Sequence, residues 1–401
     1  VGKIAQGGGV MEWMSTIAAI SPMRAWGIDV PNYFWFTGSS AAAFIISSFA
    51  HVFGFKQFKP IAGFSLLLAF VLLAVAPLNL VDDLKQPGRL VNFFLYGWEN
   101  FGTSPMKWGV LLLIAYPLLI LVEALVLYRG HFVKRIPASG PMAKRVYTWL
   151  AFGRTELDAK SMEVDHRWGF ILGAVGIPLA LSVHGYTGYI LGAVHANTLW
   201  HTPLMPILFL ASAMVSGTGL LIVLLPIFQK FFSLSRRVDG DMMASLAKLL
   251  AWFIVIDLVV RALWLSFAMP FGMASRELLA QFFALHFNMV VYVEYGLCLI
   301  IPMIVGFSRL RYSFWTVFTM GIISAVGVWL FRWNTVIGGQ EIPRSMPGFT
   351  HYIPEVFGQN SIASVASNWA AFIALLAIVM ALFPWDEEME AHYQGVNDAS
   401  K

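Results

Sequence analysis

Nine stretches of this chain, 33–55, 60–82, 106–128, 168–194, 203–229, 247–268, 279–306, 313–333 and 363–385, are apolar almost throughout. The first, fourth, fifth and ninth contain no Asp, Glu, Lys or Arg. About 20 such residues in helix cross a bilayer, where the backbone must satisfy its own N–H and C=O groups. The pattern predicts an all-α, polytopic integral membrane protein with about nine transmembrane helices. A further apolar run, Met11 to Ile20, is too short to cross. Composition agrees: 58% of the residues are hydrophobic and 12% charged, whereas a soluble chain is about half apolar and about a quarter charged.

The net charge of +4 reads as loop chemistry rather than nucleic-acid affinity. Nine spans put the ends of the sequence on opposite sides. One side then holds 17 of the 26 Lys and Arg and the other 8, with Arg261 inside the sixth span. Lys and Arg gather on the cytoplasmic side, which puts the 129–167 loop and the 386–401 tail in the cytoplasm and 1–32 outside. Two outward segments, 83–105 and 334–362, are rich in Gly, Pro, Ser and aromatics. They form a docking face for external subunits or lie on the lipid headgroups. The charged 136–166 segment reads as a mobile or interfacial connector. The opening VGKIAQGGGVMEWMST lacks a long apolar core before a cleavage site, so no signal peptide is expected. The single cysteine, Cys298, offers neither a disulfide framework, a CxxCH haem attachment nor an iron–sulfur ligand set.

Ionisable residues inside a span are costly and so become functional candidates. Asp257 and Arg261 are four apart on one helix face, and Glu294 is similarly central in its span. If their helices are adjacent, the three form one buried cluster, either a structural ion pair or a working site. Glu123 falls roughly 27 Å from the outer start of its span, near the cytoplasmic surface. It is either a proton inlet or an interfacial carboxylate reaching water. His184 lies in the outer third of span four, followed by Tyr186. At that level also fall Asn32 and Tyr33, Asp82 and Asp83, Arg89, Ser104 and Trp108. A quinone site needs a flat apolar slot, hydrogen-bond partners for two carbonyls and a proton carrier, and this outer set supplies those residue types. Helix-end histidines and tyrosines are also common interfacial anchors. A haem would need paired histidines at matching depth; only His184 and His286 qualify, and His51 has no partner at its level.

Asp83-Leu84-Lys85-Gln86-Pro87-Gly88-Arg89, followed by Thr103-Ser104-Pro105-Met106-Lys107-Trp108-Gly109, resembles the membrane-subunit family of polysulfide reductase (NrfD-like), whose wording is close to DLGRPxR and then TSPMSWG. Trp26-Gly27 with Pro31-Asn32-Tyr33-Phe34 is similar to the family's opening. His184-Gly185-Tyr186-Thr187-Gly188, Leu199-Trp200-His201-Thr202-Pro203-Leu204-Met205-Pro206, and Arg332-Trp333-Asn334 with Gly338-Gly339-Gln340 resemble the longer members. Lys85 and Gln86 depart from the family's Gly-Arg, which puts that arginine's role in doubt, and longer members often show ten spans.

The resemblance implies two adjacent helical bundles, 33–194 and 203–385, in a bacterial inner membrane, with 1–32 periplasmic. It implies no haem, metal or iron–sulfur cluster of the chain's own, and a quinone pocket (menaquinone in particular) near the periplasmic face. A periplasmic iron–sulfur, ferredoxin-like subunit would relay electrons, alongside molybdopterin-type or multihaem cytochrome c subunits. On this expectation Asn32, Tyr33, Asp83, Arg89, Ser104, Trp108, His184 and Tyr186 hold the quinone. His184 and Asp83 handle its protons, and Glu123, Asp257 and Glu294 supply a route from the cytoplasm. The rival expectations are a secondary transporter built on Asp257, Arg261 and Glu294, and a passive membrane anchor.

Overall fold

The computed structural model describes residues 26–84, 86–233, 238–268, 273–342, 349 and 352–385, and every regular element among them is helical. The long helices are α1 (Asp29–His51), α2 (Lys59–Asp83), α3 (Pro105–Leu127), α4 (Ala159–Gly192), α5 (Met205–Phe231) and α6 (Gly240–Ala268). Next come α7 (Met273–Leu285), α8 (Asn288–Phe307), α9 (Phe314–Trp333) and α10 (Ile362–Leu382). Each of the nine predicted spans is present as helix. Eight helices among the described residues are long and apolar enough to cross a membrane.

The ninth, α1, is 23 residues long but carries Asn32, Thr37, Ser39, Ser40, Ser47 and Ser48, all buried. It can be this polar because protein, not lipid, surrounds it. It packs against α2, α4, α5 and α9, and three of its hydroxyls are spent on those neighbours, while Thr37 and Ser48 bond back to α1 carbonyls. Ser40 donates to the Ala69 carbonyl at 2.7 Å, Ser47 to that of Ala62 at 2.8 Å, and Ser39 to Ser216 Oγ at 2.9 Å. Without a hydrophobic drive between helices in lipid, such small and polar contacts hold them together. At Gly217 on α5, a Cβ would meet the Ser39 carbonyl at 2.8 Å, so only glycine lets α1 and α5 lie this close.

The outer helices turn apolar side chains outward: Leu118 and Val122 on α3, Val175 and Leu181 on α4, Val259 and Leu263 on α6. α10, the last helix among the described residues, packs on α2 and α1.

Four boundaries differ from expectation. The predicted span 279–306 is divided into α7 and α8, and α8 begins with a π-helical stretch, Asn288–Ile300, which carries Glu294; such wide turns recur at functional sites. The outward loop expected from 334 starts later, because α9 continues through a π turn, Asn334–Gly338, into Gly339–Glu341. α4 starts at Ala159 rather than 168, capped by Asp158, whose side chain accepts from Ser161 N–H at 3.1 Å. The 129–167 connector is folded: helices Arg129–Arg135 and Pro141–Leu150 pack together. Buried Arg129 bonds Asp165 at 2.6 Å and the carbonyls of Arg154 and Glu156 at 2.8 Å.

The expectations for 1–25, including Met11–Ile20, for Lys85, Arg236, Arg237 and Arg344, for the 386–401 tail and for the His51 side chain lie outside the described residues.

Candidate functional site

The outer polar set separates into three groups. Asn32, fully buried, joins α1 to α2, α9 and α10. Its amide donates to Asn79 Oδ1 at 2.7 Å, and its carbonyl accepts from Trp369 at 3.0 Å and Trp329 at 3.4 Å. Asn368 extends this knot to Asn79 and to Asp82 at 2.8 Å. Asp83, at the end of α2, accepts from the Gly27 N–H at 3.1 Å.

A second group lies in the 83–105 segment, where Arg89 is exposed and Ser104 is half-buried. Trp108 donates to the Phe101 carbonyl at 2.7 Å, and Lys107 to those of Phe93 and Tyr96 at 2.9 and 2.6 Å, under the Trp98 ring. Among the described residues no hydrogen bond joins Asp83, Arg89 or Ser104 to His184.

The third group is His184 with its neighbours. Its ring is wholly buried and lies against Gly38 of α1, where a Cβ would meet Cε1 at 2.7 Å. Nε2 lies 2.8 Å from the Phe209 carbonyl and 3.2 Å from Arg332 Nη2, which itself donates to that carbonyl at 2.9 Å. Nδ1 faces Thr187 Oγ1 at 3.4 Å, and Thr187 donates to the His184 carbonyl at 2.6 Å. Two residues further along α4, the Tyr186 ring rests on Gly109 of α3, where any Cβ would overlap it. Tyr33 is buried on neighbouring α1.

Charge counting places Arg332, near the end of the 313–333 span, on the outer side, yet it is fully buried. It sits late in a helix that does not stop where hydropathy falls. Trp200 holds the continuation by donating to the Thr335 carbonyl at 2.5 Å, and Asn197 by donating to that of Gly339 at 2.7 Å. Gln340 then pairs with both backbone groups of Trp26, each at 3.1 Å, and Trp26 stacks on Trp200. The scattered motif stretches around residues 26, 200 and 332–340 therefore meet at one end of the bundle.

The predicted ionic cluster is present. Arg261 Nε donates to Asp257 Oδ2 at 2.7 Å, and Arg261 Nη1 to Glu294 Oε1. Asn334 donates to Glu294 Oε2 at 2.7 Å. All three charged residues are no more than 2% exposed. The Phe331 ring separates the two arginines, its centroid 4.0 Å from Arg261 Cζ and 5.3 Å from Arg332 Cζ. Asp257 Oδ1 and the Nε and Nη1 donors of Arg332 make no hydrogen bond among the described residues. Two carboxylates and two guanidiniums thus share the interior with His184, on α4, α6, α8 and α9. Sequence reasoning missed Arg332 and Asn334 in this assembly. The signal for them was Arg-Trp-Asn directly after an apolar run, with two glycines, Gly338 and Gly339, shortly beyond to permit close packing.

Glu123 does not reach water as an interfacial carboxylate would. It is 0% exposed, and neither carboxylate oxygen has a hydrogen-bond partner among the described residues. It faces Gly173 of α4, where a Cβ would lie 3.3 Å from Oε1, with Ser48 of α1 and Val52 just beyond its end alongside. The glycine makes room for the carboxyl between three helices. His286, in turn, pairs with Glu341 at 2.9 Å and, among the described residues, shares no partner with His184.

Among the described residues no group of three or more His, Cys, Asp or Glu is arranged to hold a metal. A family model described as polysulphide reductase, NrfD, matches residues 18–344. A selenate reductase subunit of Mesobacillus selenatarsenatis is 33% identical over 61% of this chain and 57% of its own length. The Hdr-like menaquinol oxidoreductase integral membrane subunit of Archaeoglobus fulgidus is 24% identical over 93% of this chain and 86% of its own. A tetrathionate reductase subunit of Salmonella typhimurium is 25% identical, covering 87% and 89%. The chain spans little more than half the length of the selenate relative.

Proposed function

This chain belongs to the polysulphide reductase NrfD family, and from that premise we propose that it is the quinone-reactive membrane subunit of a multi-subunit respiratory reductase. It exchanges electrons between quinone in the bilayer and an iron–sulfur partner docked at the periplasmic face. The relay ends in a molybdopterin-type or multihaem cytochrome partner. The observation that carries this reading is a fully buried His184 held by Arg332, with the Phe209 ring against it. A proton-carrying ring fixed among aromatic walls inside a membrane is what quinone chemistry asks of a protein. The relatives' names, reductase subunits and a menaquinol oxidoreductase subunit, support the same direction.

Quinone is the substrate here, and it supplies and accepts the electrons together with the partner. The chain's own residues do the rest. Tyr186 and Trp108 are assigned to the wall of a quinone slot, Asn32, Arg89 and Ser104 to its outer rim, and Asp83 and His184 to proton movement at the outer side. Asp257, Glu294 and Glu123 form the route from the cytoplasm, which separates charge on each turnover. The halves 33–194 and 203–385 are assigned to two bundles, with His184 of the first meeting Phe209 and Arg332 of the second. The 129–167 connector and the tail face the cytoplasm of a bacterial inner membrane.

The test is purification from native membranes with whatever the chain holds. Co-purifying iron–sulfur absorbance and bound menaquinone are expected, with turnover abolished in His184→Ala and Asp83→Asn. Quinone turnover like wild type in both variants removes the assignments. Transport of a solute by the isolated chain, without redox partners, favours a secondary transporter using the Asp257–Arg261–Glu294 cluster. Bound lipid alone leaves a membrane anchor.

A further inference from the structure

Beyond the end of α3, the helix Pro141–Leu150 and Leu125 enclose a groove of about 840 Å³ walled by Trp149 and Phe152, with Lys144 and Arg145 beside it. The helix docks by one edge. Tyr147 stacks on Phe132 with centroids 6.4 Å apart, and Ala151 is sealed among Leu125, Phe132 and Val133. Met142, Val146 and Trp149, spaced so that they share a face, are instead 83%, 48% and 76% exposed. The chain then reverses through Phe152 at φ 56° and Gly153 at φ 72°. A bulky side chain rarely adopts this left-handed conformation. The reversal is held by Phe152 N–H to the Trp149 carbonyl and Gly153 N–H to that of Thr148. It keeps the Phe152 ring at the groove, out of the sealed cluster.

Two observations say what covers this face. Leu118, Val122 and Leu125 fall on one line of α3, and the first two are exposed, so the groove opens from the surface that lipid wets. The neighbouring arginines, Arg129 and Arg154, are both paired with Asp165, whereas Lys144 and Arg145 form no ion pair among the described residues. A helix with an apolar face and basic flank lies in the headgroup plane and attracts anionic lipid.

We propose that this groove binds an anionic phospholipid of the leaflet at the 129–167 end of the bundle. Lys144 and Arg145 take the headgroup phosphate, and an acyl chain runs along Leu125, Trp149 and Phe152. The proposal stands independently of the quinone reading.

The test reconstitutes the protein, with its partners, in nanodiscs of equal phosphatidylcholine and phosphatidylglycerol. Lipid retained after mild delipidation is counted by native mass spectrometry. Wild type is expected to retain phosphatidylglycerol and shed phosphatidylcholine. The Lys144→Gln/Arg145→Gln variant is expected to lose about thirtyfold in retention, two charges at about 1 kcal/mol each. Lys248→Gln, an exposed lysine on α6, is expected to retain lipid as wild type does. Equal retention of the two lipids by wild type, a measurement that needs no variant to fold, overturns the proposal. So does undiminished retention in the double variant. Displacement of the lipid by inorganic phosphate, or a polypeptide cross-linked at Trp149 in its place, assigns the groove to another occupant and overturns it as well.

Discussion

Arg332 Nη2 and His184 Nε2 lie 3.2 Å apart and both address the single carbonyl oxygen of Phe209. A guanidinium only donates. With the ring proton on Nδ1, facing Thr187, Nε2 accepts from Arg332. With the proton on Nε2, it competes with Arg332 for the carbonyl. The two tautomers therefore differ in which donor holds α4 and α9 to α5. A buried ring coupled to helix packing in this way is sensitive to small changes in its partner.

Replacing Arg332 by Lys keeps the charge and loses the fork. The expected cost is about 1.5–3 kcal/mol, because a buried hydrogen bond from a charged group to the Phe209 carbonyl is lost, and it is read as earlier thermal unfolding in detergent. Turnover with a soluble quinol analogue is expected to fall roughly a hundredfold if His184 carries protons. Turnover equal to wild type in a folded Arg332→Lys protein breaks the link between the two residues.

Arg261→Met strands Asp257 and Glu294 as buried carboxylates facing one another. Such a break costs about 3–5 kcal/mol. The triple variant Asp257→Asn/Arg261→Met/Glu294→Gln removes the charges together and is expected to regain most of the lost stability. A triple variant no better than the single one shows that the cluster is not a balanced unit.

Glu123→Gln preserves volume and breaks no existing hydrogen bond, since neither oxygen makes one among the described residues. Its unfolding temperature is expected to stay close to wild type. Proton uptake coupled to quinone reduction in proteoliposomes is expected to fall while the electron-transfer rate with an uncoupler recovers. Undiminished coupled uptake excludes Glu123 from the proton route.

Gly217→Val pushes a side chain against the Ser39 carbonyl and Ala42. Overpacking at such a contact costs about 1–3 kcal/mol. The expected signs are a lower unfolding temperature and increased amide exchange in α1, measured against Gly240→Val, whose added Cβ meets nothing within 4 Å. Identical exchange in both removes the close approach of α1 and α5 as a determinant of packing.

His131, in the connector outside the spans, is lowered from its ordinary 6.5 to about 4, first by burial and then by Arg135 and Lys134. The unfolded chain therefore binds this proton before the folded one does. Stability from this residue is complete above about pH 6.5 and is lost as pH falls toward 4. Thermal unfolding of wild type is expected to drop between pH 7 and 5 more than that of His131→Gln. Parallel curves for the two proteins refute this.

Hydropathy alone located the nine helices, because lipid leaves a backbone few options and each span must be apolar or shielded. Asp257, Arg261 and Glu294 were legible for the same reason: charge is conspicuous where water is absent. What the sequence could not determine was which helix lipid touches and which charge protein encloses. α1 reads as one more uncharged span, and only its enclosure by neighbouring helices explains its serines. Arg332 reads as an outer-side charge until Trp200 and Asn197, far away in sequence, hold the helix beyond it. Glu123 reads as interfacial until Gly173 opens a pocket for its carboxyl. Depth follows from counting residues along one helix, but burial depends on rotation and neighbours, and those are fixed by contacts between segments that no local pattern records.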